Sequence, residues 1–476
     1  MRAKRAPGPT VLQALRALRS RDLLAALTAM HEEHGDVARF SYLGKSWIML
    51  RDTQHIEHVL VANNDNYGKA YDYRLLAVVT GRGLLTNEGE DWARQRRTIQ
   101  PMFAGRHLDR FAGDMIDATA RALERWEQLP DGDRVDIAEE MSALTLDVVG
   151  RALFGSDLAG KAADIGPAVT ICLRTAVGFA RIPFMWVWPQ RAIDLGAAIL
   201  FRLPLPRLRR IGRAVGTLDR VANELIASRA ASGAQHDDLL GLLLAARDPE
   251  TGAAMTRRQI RDELMTFLLA GHETTANGLT WMWYLLSRNP EARDRVFAEV
   301  DEVLGGRAPV AADTPNLPWT AACFQEAMRL YPPAWILERD AIGRDDVGGF
   351  TIPRWATVII SPYVVHRDPR LWPDPERFDP SRFLPGASAG RPRSAYMPFG
   401  AGRRMCVGAG FAMLEGVLLA AMIAQRFRFE LVPGTEVVLE PTATLRPRDG
   451  MPMTVQRRSA RSRDASVSFP EAAGGG

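Results

Sequence analysis

Cysteine is scarce in this chain of 476 residues: Cys172, Cys323 and Cys406 are the only three, scattered and odd in number. That speaks against a disulfide framework and for a reducing, cytoplasmic setting. A surplus of either charge is also missing. Lys and Arg number 60 against 56 Asp and Glu, a net charge of +4 without long basic runs, so a nucleic-acid partner is not favoured. An unbroken apolar run long enough for a signal peptide or a membrane span is not found either. The N-terminal stretch MRAKRAPGPTVLQALRALRSRDLL is interrupted by Arg16, Arg19 and Arg21, and the apolar residues of 416–425 are too few to span. The chain reads as soluble, without a transmembrane anchor, and shows no internal repeat.

What is present is hydrophobic mass. Apolar residues make up 47%, enough at this length to bury a large core around an internal cavity. A length prior of ~150 residues per domain suggests about three domains, yet no break in the pattern separates them. The expectation is one domain over residues 1–458, with a tail at 459–476 of disordered composition. Residues 37–50 (VARFSYLGKSWIML) predict a hairpin about Gly44 and Lys45. From about 91 to 325, apolar residues recur at three- and four-residue spacing, so nearly all of it reads as helix, including 115–127 and 218–231. Residues 350–361 have strand character, and 368–385, rich in proline and aspartate, read as loop. The fold class is mainly α with small β-sheets.

Residues 399–410 read FGAGRRMCVGAG, and a long helical pattern follows. A sulfur just ahead of a helix N-terminus faces unpaired N–H groups and the positive end of the dipole, which favours thiolate. A nucleophile would want a histidine base, and none lies near Cys406 in sequence. Zinc would want more Cys and His ligands than this region offers. A haem iron wants a single thiolate, because the porphyrin supplies four donors, and glycines let backbone approach a flat macrocycle. Alone, Cys406 would be read as a small buried hydrophobe.

It is not alone. Phe399, Gly402, Arg404, Cys406 and Gly408 follow the F-x-x-G-x-R-x-C-x-G pattern, and three further motifs precede it in order. Ala270, Gly271, Glu273 and Thr274 lie in LLAGHETTANGL; Glu326 and Arg329 form E-x-x-R; Trp92 and Arg96 form W-x-x-x-R. Over residues 90–410 the chain resembles the cytochrome P450 family, the haem-thiolate monooxygenases. The resemblance implies a triangular helical body with haem b between a distal oxygen-groove helix and a proximal cysteine-loop helix. It implies Cys406 as axial ligand of the iron, Ala270 and Gly271 as room for dioxygen in a kinked helix, and Glu273 with Thr274 as the acid–alcohol pair that delivers protons. A helix whose threonines merely bond back to the preceding turn is the plainer alternative for that segment.

Trp92, Arg96, Arg339, His366 and Arg404 are implied as contacts of the haem propionates. Glu326 and Arg329 are implied as a buried scaffold pair, completed by Arg377 from the PERF stretch at 375–378. Pocket walls are implied at 71–85, 175–184, Phe267, Ala270, 334–337 and the turn at Thr444 and Leu445. These are mostly apolar, so the substrate is expected to be a hydrophobic small molecule such as a terpene, fatty acid or polyketide.

Only 70 residues follow Cys406 (476 − 406), which leaves no room for a flavin or iron–sulfur domain, and no dinucleotide fingerprint is seen. Electrons from NAD(P)H are therefore expected through a separate ferredoxin or flavodoxin and its reductase. That partner would dock on a basic face carrying Arg94, Arg97 and Arg403. The segment 182–208 mixes apolar and aromatic residues with arginines. It reads as a lid meeting lipid surfaces or as a pair of packed helices, and the packed pair is preferred. The working expectation is a monomeric monooxygenase using O2. A haem-thiolate isomerase, dehydratase or peroxygenase of the same fold, or a non-catalytic haem carrier, stands as the alternative.

Overall fold

The computed structural model describes residues 4–10, 13, 22–42, 44–155, 165–169, 171–172, 187–203, 205–232 and 236–458. The expected tail at 459–476 and the pocket segment at 175–184 lie outside them. The longest described helix, Arg257–Arg288, opens on a capping box in which Thr256 and Gln259 satisfy each other's backbone N–H groups. Most of its side chains are buried, polar ones such as Asp262, Glu263, His272 and Asn277 included. Against this central helix pack the helices Ile137–Phe154, Pro318–Leu330 and Ala409–Arg426.

Gly271 explains the closest of these contacts. A Cβ there would stand 3.1 Å from a methyl group of Val149 on the neighbouring helix. Its missing side chain admits that helix, whereas Ala270, one residue earlier, is the exposed position in an otherwise buried run. The central helix is α-helical without a break through Gly271 and both threonines.

The helix after the cysteine loop, Ala409–Arg426, is long and apolar enough by length and composition to cross a membrane. Counting consecutive apolar residues missed it. In the fold it is a core helix, with 72% of it buried inside the protein. Phe324 slots its ring between this helix and the central one, where Gly416 and Gly278 leave no Cβ to obstruct it. Phe103 joins the same two helices, with its ring centroid 5.3 Å from Phe267 and 6.5 Å from Phe411.

A five-stranded sheet lies to one side, in the order Val37–Tyr42, Lys45–Leu50, Thr357–Ile360, Leu337–Ala341, Tyr67–Lys69. All its neighbours are antiparallel except Lys45–Leu50 with Thr357–Ile360. The predicted hairpin is its first pair, in register from Val37 opposite Leu50 to Tyr42 opposite Lys45. Two regions this sheet connects to matter for the site. Leu337–Ala341 carries Arg339, and Tyr67–Lys69 leads into the helix Asp72–Thr80. A separate two-stranded hairpin, Leu439–Pro441 with Leu445–Pro447, holds Thr444 at its turn. The chain is thus mainly helical with small sheets, and segment 368–385 holds only turns and the short 3-10 helix Pro380–Phe383.

Candidate functional site

The cysteine loop is shaped by glycine and closed by backbone. Gly402 has φ 70°, and a Cβ there would lie 1.9 Å from the Leu60 carbonyl oxygen, so only glycine lets the loop pass. The Cys406 N–H donates to the Phe399 carbonyl at 2.9 Å, closing the loop on itself. Gly408 stands at the N-cap of Ala409–Arg426, and its N–H bonds the sulfur. Cys406 is exposed to open space yet ringed by protein. The expected drop in its thiol pKa does not occur. Burial raises it, and the Gly408 N–H and the Arg96 charge pull the other way without winning.

Beside the loop, the ring of Trp92 is covered by two cations. The Arg404 guanidinium lies 5.4 Å and the Lys69 ammonium 5.7 Å from ring centroids there. Arg404 donates to Asn64 at 3.1 Å and pairs with Glu88 at 3.0 Å, leaving its buried Nε without a partner. Lys69 donates to the carbonyls of Leu84 and Asn87 at 2.9 and 2.6 Å. Burial lowers its pKa to about 7, against the pull of Glu88. Arg96 reaches the cysteine loop, donating to the Met405 carbonyl at 2.8 Å. Arg339 is buried, donates to the Glu338 carbonyl, and also has an Nε without a partner.

His366 does not belong with these. It is fully buried, with Nδ1 on the Arg329 carbonyl at 3.3 Å and Nε2 accepting the Met397 N–H at 2.9 Å. Both nitrogens are engaged by backbone, and burial lowers the ring's pKa to about 3. The expected propionate contact has no donor left to make it, so His366 is scaffold.

Glu326 and Arg329 are completely buried and paired at 2.7 Å. Arg329 also donates to the carbonyls of His366, Pro375 and Arg377, which fastens the loop after the sheet to this helix. Arg377 contributes that carbonyl while its side chain is exposed. The guanidinium beside Glu326 is Arg382, at 3.6 Å. A second P-x-R-F, residues 380–383, follows the first by five positions, and it is the second that turns inward. That repeat was the signal that would have found it.

On the central helix, the Thr274 hydroxyl donates back to the Ala270 carbonyl at 2.8 Å, and Thr275 to Gly271 at 3.3 Å. This is the plainer of the two expectations for the threonines in the state described. Ala270 is exposed, whereas Gly271 gives its room to Val149. Glu273 accepts from the Thr444 hydroxyl at 2.9 Å, and Thr444 accepts from Asn277 at 3.0 Å. Sequence reading placed Thr444 only as pocket wall and missed Asn277 and Lys69. No motif marks them. Thr275 also faces Glu415 of the cysteine-loop helix, whose carboxyl is pushed up to about 8 by burial, the Thr275 hydroxyl acting against it.

An exposed cysteine, two buried guanidinium nitrogens without partners, and an exposed Ala270 fit an iron porphyrin with its two carboxylates.

A family model described as Cytochrome P450 matches residues 4–453. The chain is 41% identical over 369 residues to cyclooctatin synthase of Streptomyces melanosporofaciens, covering 77% of each protein. It is 33% identical over 424 residues to pentalenene oxygenase of Streptomyces avermitilis, covering 87% of each. A solved cytochrome P450DA heme domain superposes with a TM-score of 0.86 at 25% identity, over 97% of this chain and all of that one.

Proposed function

The chain belongs to the cytochrome P450 family and is a monooxygenase with haem b, O2 and NAD(P)H-derived electrons, and we propose that its substrate is a cyclic terpene or a similarly apolar molecule. The reaction balances as RH + O2 + NAD(P)H + H+ → ROH + H2O + NAD(P)+. The observation that carries the site assignment is the Cys406 sulfur, held on the Gly408 N–H and open to space beside Arg96.

Cys406 would supply the sulfur donor to the iron, and Arg96, Arg404, Arg339 and Trp92 would receive the propionates. When bound, the haem supplies oxygen activation. The protein's own part is to exclude water and to time protons. Ala270, exposed on the central helix, would leave room beside the bound group. Thr274 orients a water or hydroxyl at that space once its hydroxyl turns from the Ala270 carbonyl. Glu273 passes protons toward it from the Thr444 side. Protons are needed because oxygen must leave as water and not as peroxide.

The substrate reading rests on the two named relatives and on apolar walls. Titrating terpene hydrocarbons, terpene alcohols and fatty acids against the iron spin-state band tests it. A shift with the terpenes and none with the acids is expected; the reverse pattern would end it.

The electron donor is a separate ferredoxin or flavodoxin. The three arginines expected to attract it are each paired: Arg94 with Asp91, Arg97 with Glu250 and Arg403 with Asp65. Beside them Met405 and Val61 are exposed. With the three arginines already paired, a shallow dependence of reduction rate on ionic strength is expected.

The helix Gln190–Leu200 buries Ile193 and Ala197 but turns Leu195, 64% exposed, and Ile199, 54%, outward with Trp188 at 51%. Arg191 on this helix and Arg202, Arg209 and Arg210 shortly after it in sequence are also exposed. This outward apolar stripe, with arginines close by in sequence, favours the lipid-facing lid over the packed pair.

A further inference from the structure

We propose that Thr444 is a positioning residue for this monooxygenase, fixing the carboxyl group of Glu273. The inference rests on the reading of Glu273 as the proton-delivering acid and adds the element that aims it.

Glu273 and Asn277 lie four residues apart on one face of the central helix. Between them stands the Thr444 hydroxyl, brought from more than 160 positions away by the hairpin turn; the separations are 171 and 167 residues. The direction of the chain of bonds is fixed by chemistry. The Asn277 amide donates to Thr444 Oγ1 at 3.0 Å, and a hydroxyl has one hydrogen of its own. That hydrogen goes to Glu273 Oε1 at 2.9 Å. Asn277 and Thr444 are both buried, so bulk water does not compete for these bonds.

The turn cannot follow a moving carboxyl group. The Leu445 N–H is held by the Pro333 carbonyl at 3.0 Å, and the Leu445 carbonyl by the Trp281 indole at 3.0 Å. The Trp335 indole holds the Thr442 carbonyl at 2.9 Å. Thr444 is thus the fixed partner, and Glu273, on the end of a flexible side chain, conforms to it. Holding one oxygen sets the plane of the carboxyl group, and so the direction in which a proton leaves it. Without the hydroxyl that oxygen loses this anchor, and fewer orientations of the carboxyl group face the oxygen space.

The test uses the haem-loaded enzyme with redox partners and a substrate found by spin shift. Both outcomes draw two electrons and two protons per O2: one gives ROH and H2O from RH, the other H2O2. Thr444→Val is expected to lower the product-to-peroxide ratio by roughly three- to tenfold, the scale of one hydrogen bond. Substrate affinity from the spin shift should change less than about twofold, and Thr444→Ser should restore the ratio. Infrared difference spectra of wild type minus Glu273→Gln give the carboxyl band, which should shift in Thr444→Val and return in Thr444→Ser.

If Thr444→Val does not fold, Thr444→Ala carries the same expectations. An unchanged ratio and band in the Thr444 variants, with a changed ratio in Glu273→Gln, overturns the role of Thr444 alone. An unchanged ratio in Glu273→Gln overturns the reading of Glu273 itself. A ratio that falls together with affinity and is not rescued by serine marks Thr444 as pocket wall and overturns the inference.

Discussion

The guanidinium of Arg382 lies 3.6 Å from the Glu326 carboxylate, and that carboxylate also accepts the Asp379 N–H at 2.9 Å. Arg329 fills the remaining side, at 2.7 Å. A buried carboxylate keeps its charge only when its oxygens are satisfied in this way, and here they hold down the loop that leads into the cysteine.

Arg382→Ala should therefore destabilise the protein by about 2 kcal/mol, since it strips one charged partner from a buried group. Arg377→Ala, which changes an exposed side chain and keeps the carbonyl, should stay within about 0.5 kcal/mol. Urea midpoints of the two variants decide between them, and equal losses would return Arg377 to the triad.

Cys406→Ser should abolish the red-shifted Soret band of the reduced carbon-monoxide complex, because a hydroxyl oxygen replaces the sulfur donor. Melting by circular dichroism should show the fold intact. A retained band would mean that the axial donor is another residue.

Glu415 gives a pH dependence whose sign follows from its raised pKa of about 8 against an ordinary value of 4.5. Between those values the folded protein binds more protons than the unfolded chain, so this group's contribution is full below pH 4.5 and is lost as pH rises to about 8. Glu415→Gln removes that loss. Its stability relative to wild type should climb from pH 5 toward 8 by up to about 1.36 kcal/mol per pH unit. Denaturation curves across that range with a constant difference would refute the assignment.

The outward face of Gln190–Leu200 should sediment with vesicles containing phosphatidylglycerol and weakly with phosphatidylcholine alone. Leu195→Asp with Ile199→Asp should weaken binding at least about tenfold, from the loss of two buried aliphatic side chains. Binding by the double variant equal to wild type would remove the lipid reading, and concentration-dependent dimerisation lost in the variant would assign the face to a second copy.

The sequence by itself determined the chemistry that is read along the chain. The spacing of Phe399, Gly402, Arg404, Cys406 and Gly408 lies within ten residues, and Trp92 with Arg96 and Glu326 with Arg329 share single helix turns. Periodicity likewise gave the helices and the first hairpin, because one face of a local element records its surroundings every second or every third and fourth residue. Tertiary structure decided what depends on partners distant in sequence. It chose Arg382 over Arg377, since only the fold says which of two similar loops turns inward. It took His366 out of the haem contacts by engaging both ring nitrogens, and raised the Cys406 thiol, since burial outweighs the nearby N–H and cation. It brought Thr444 to Glu273 and Asn277 across more than 160 residues, a contact no local pattern encodes, because hydrogen bonding depends on distance in space and not on position in the chain.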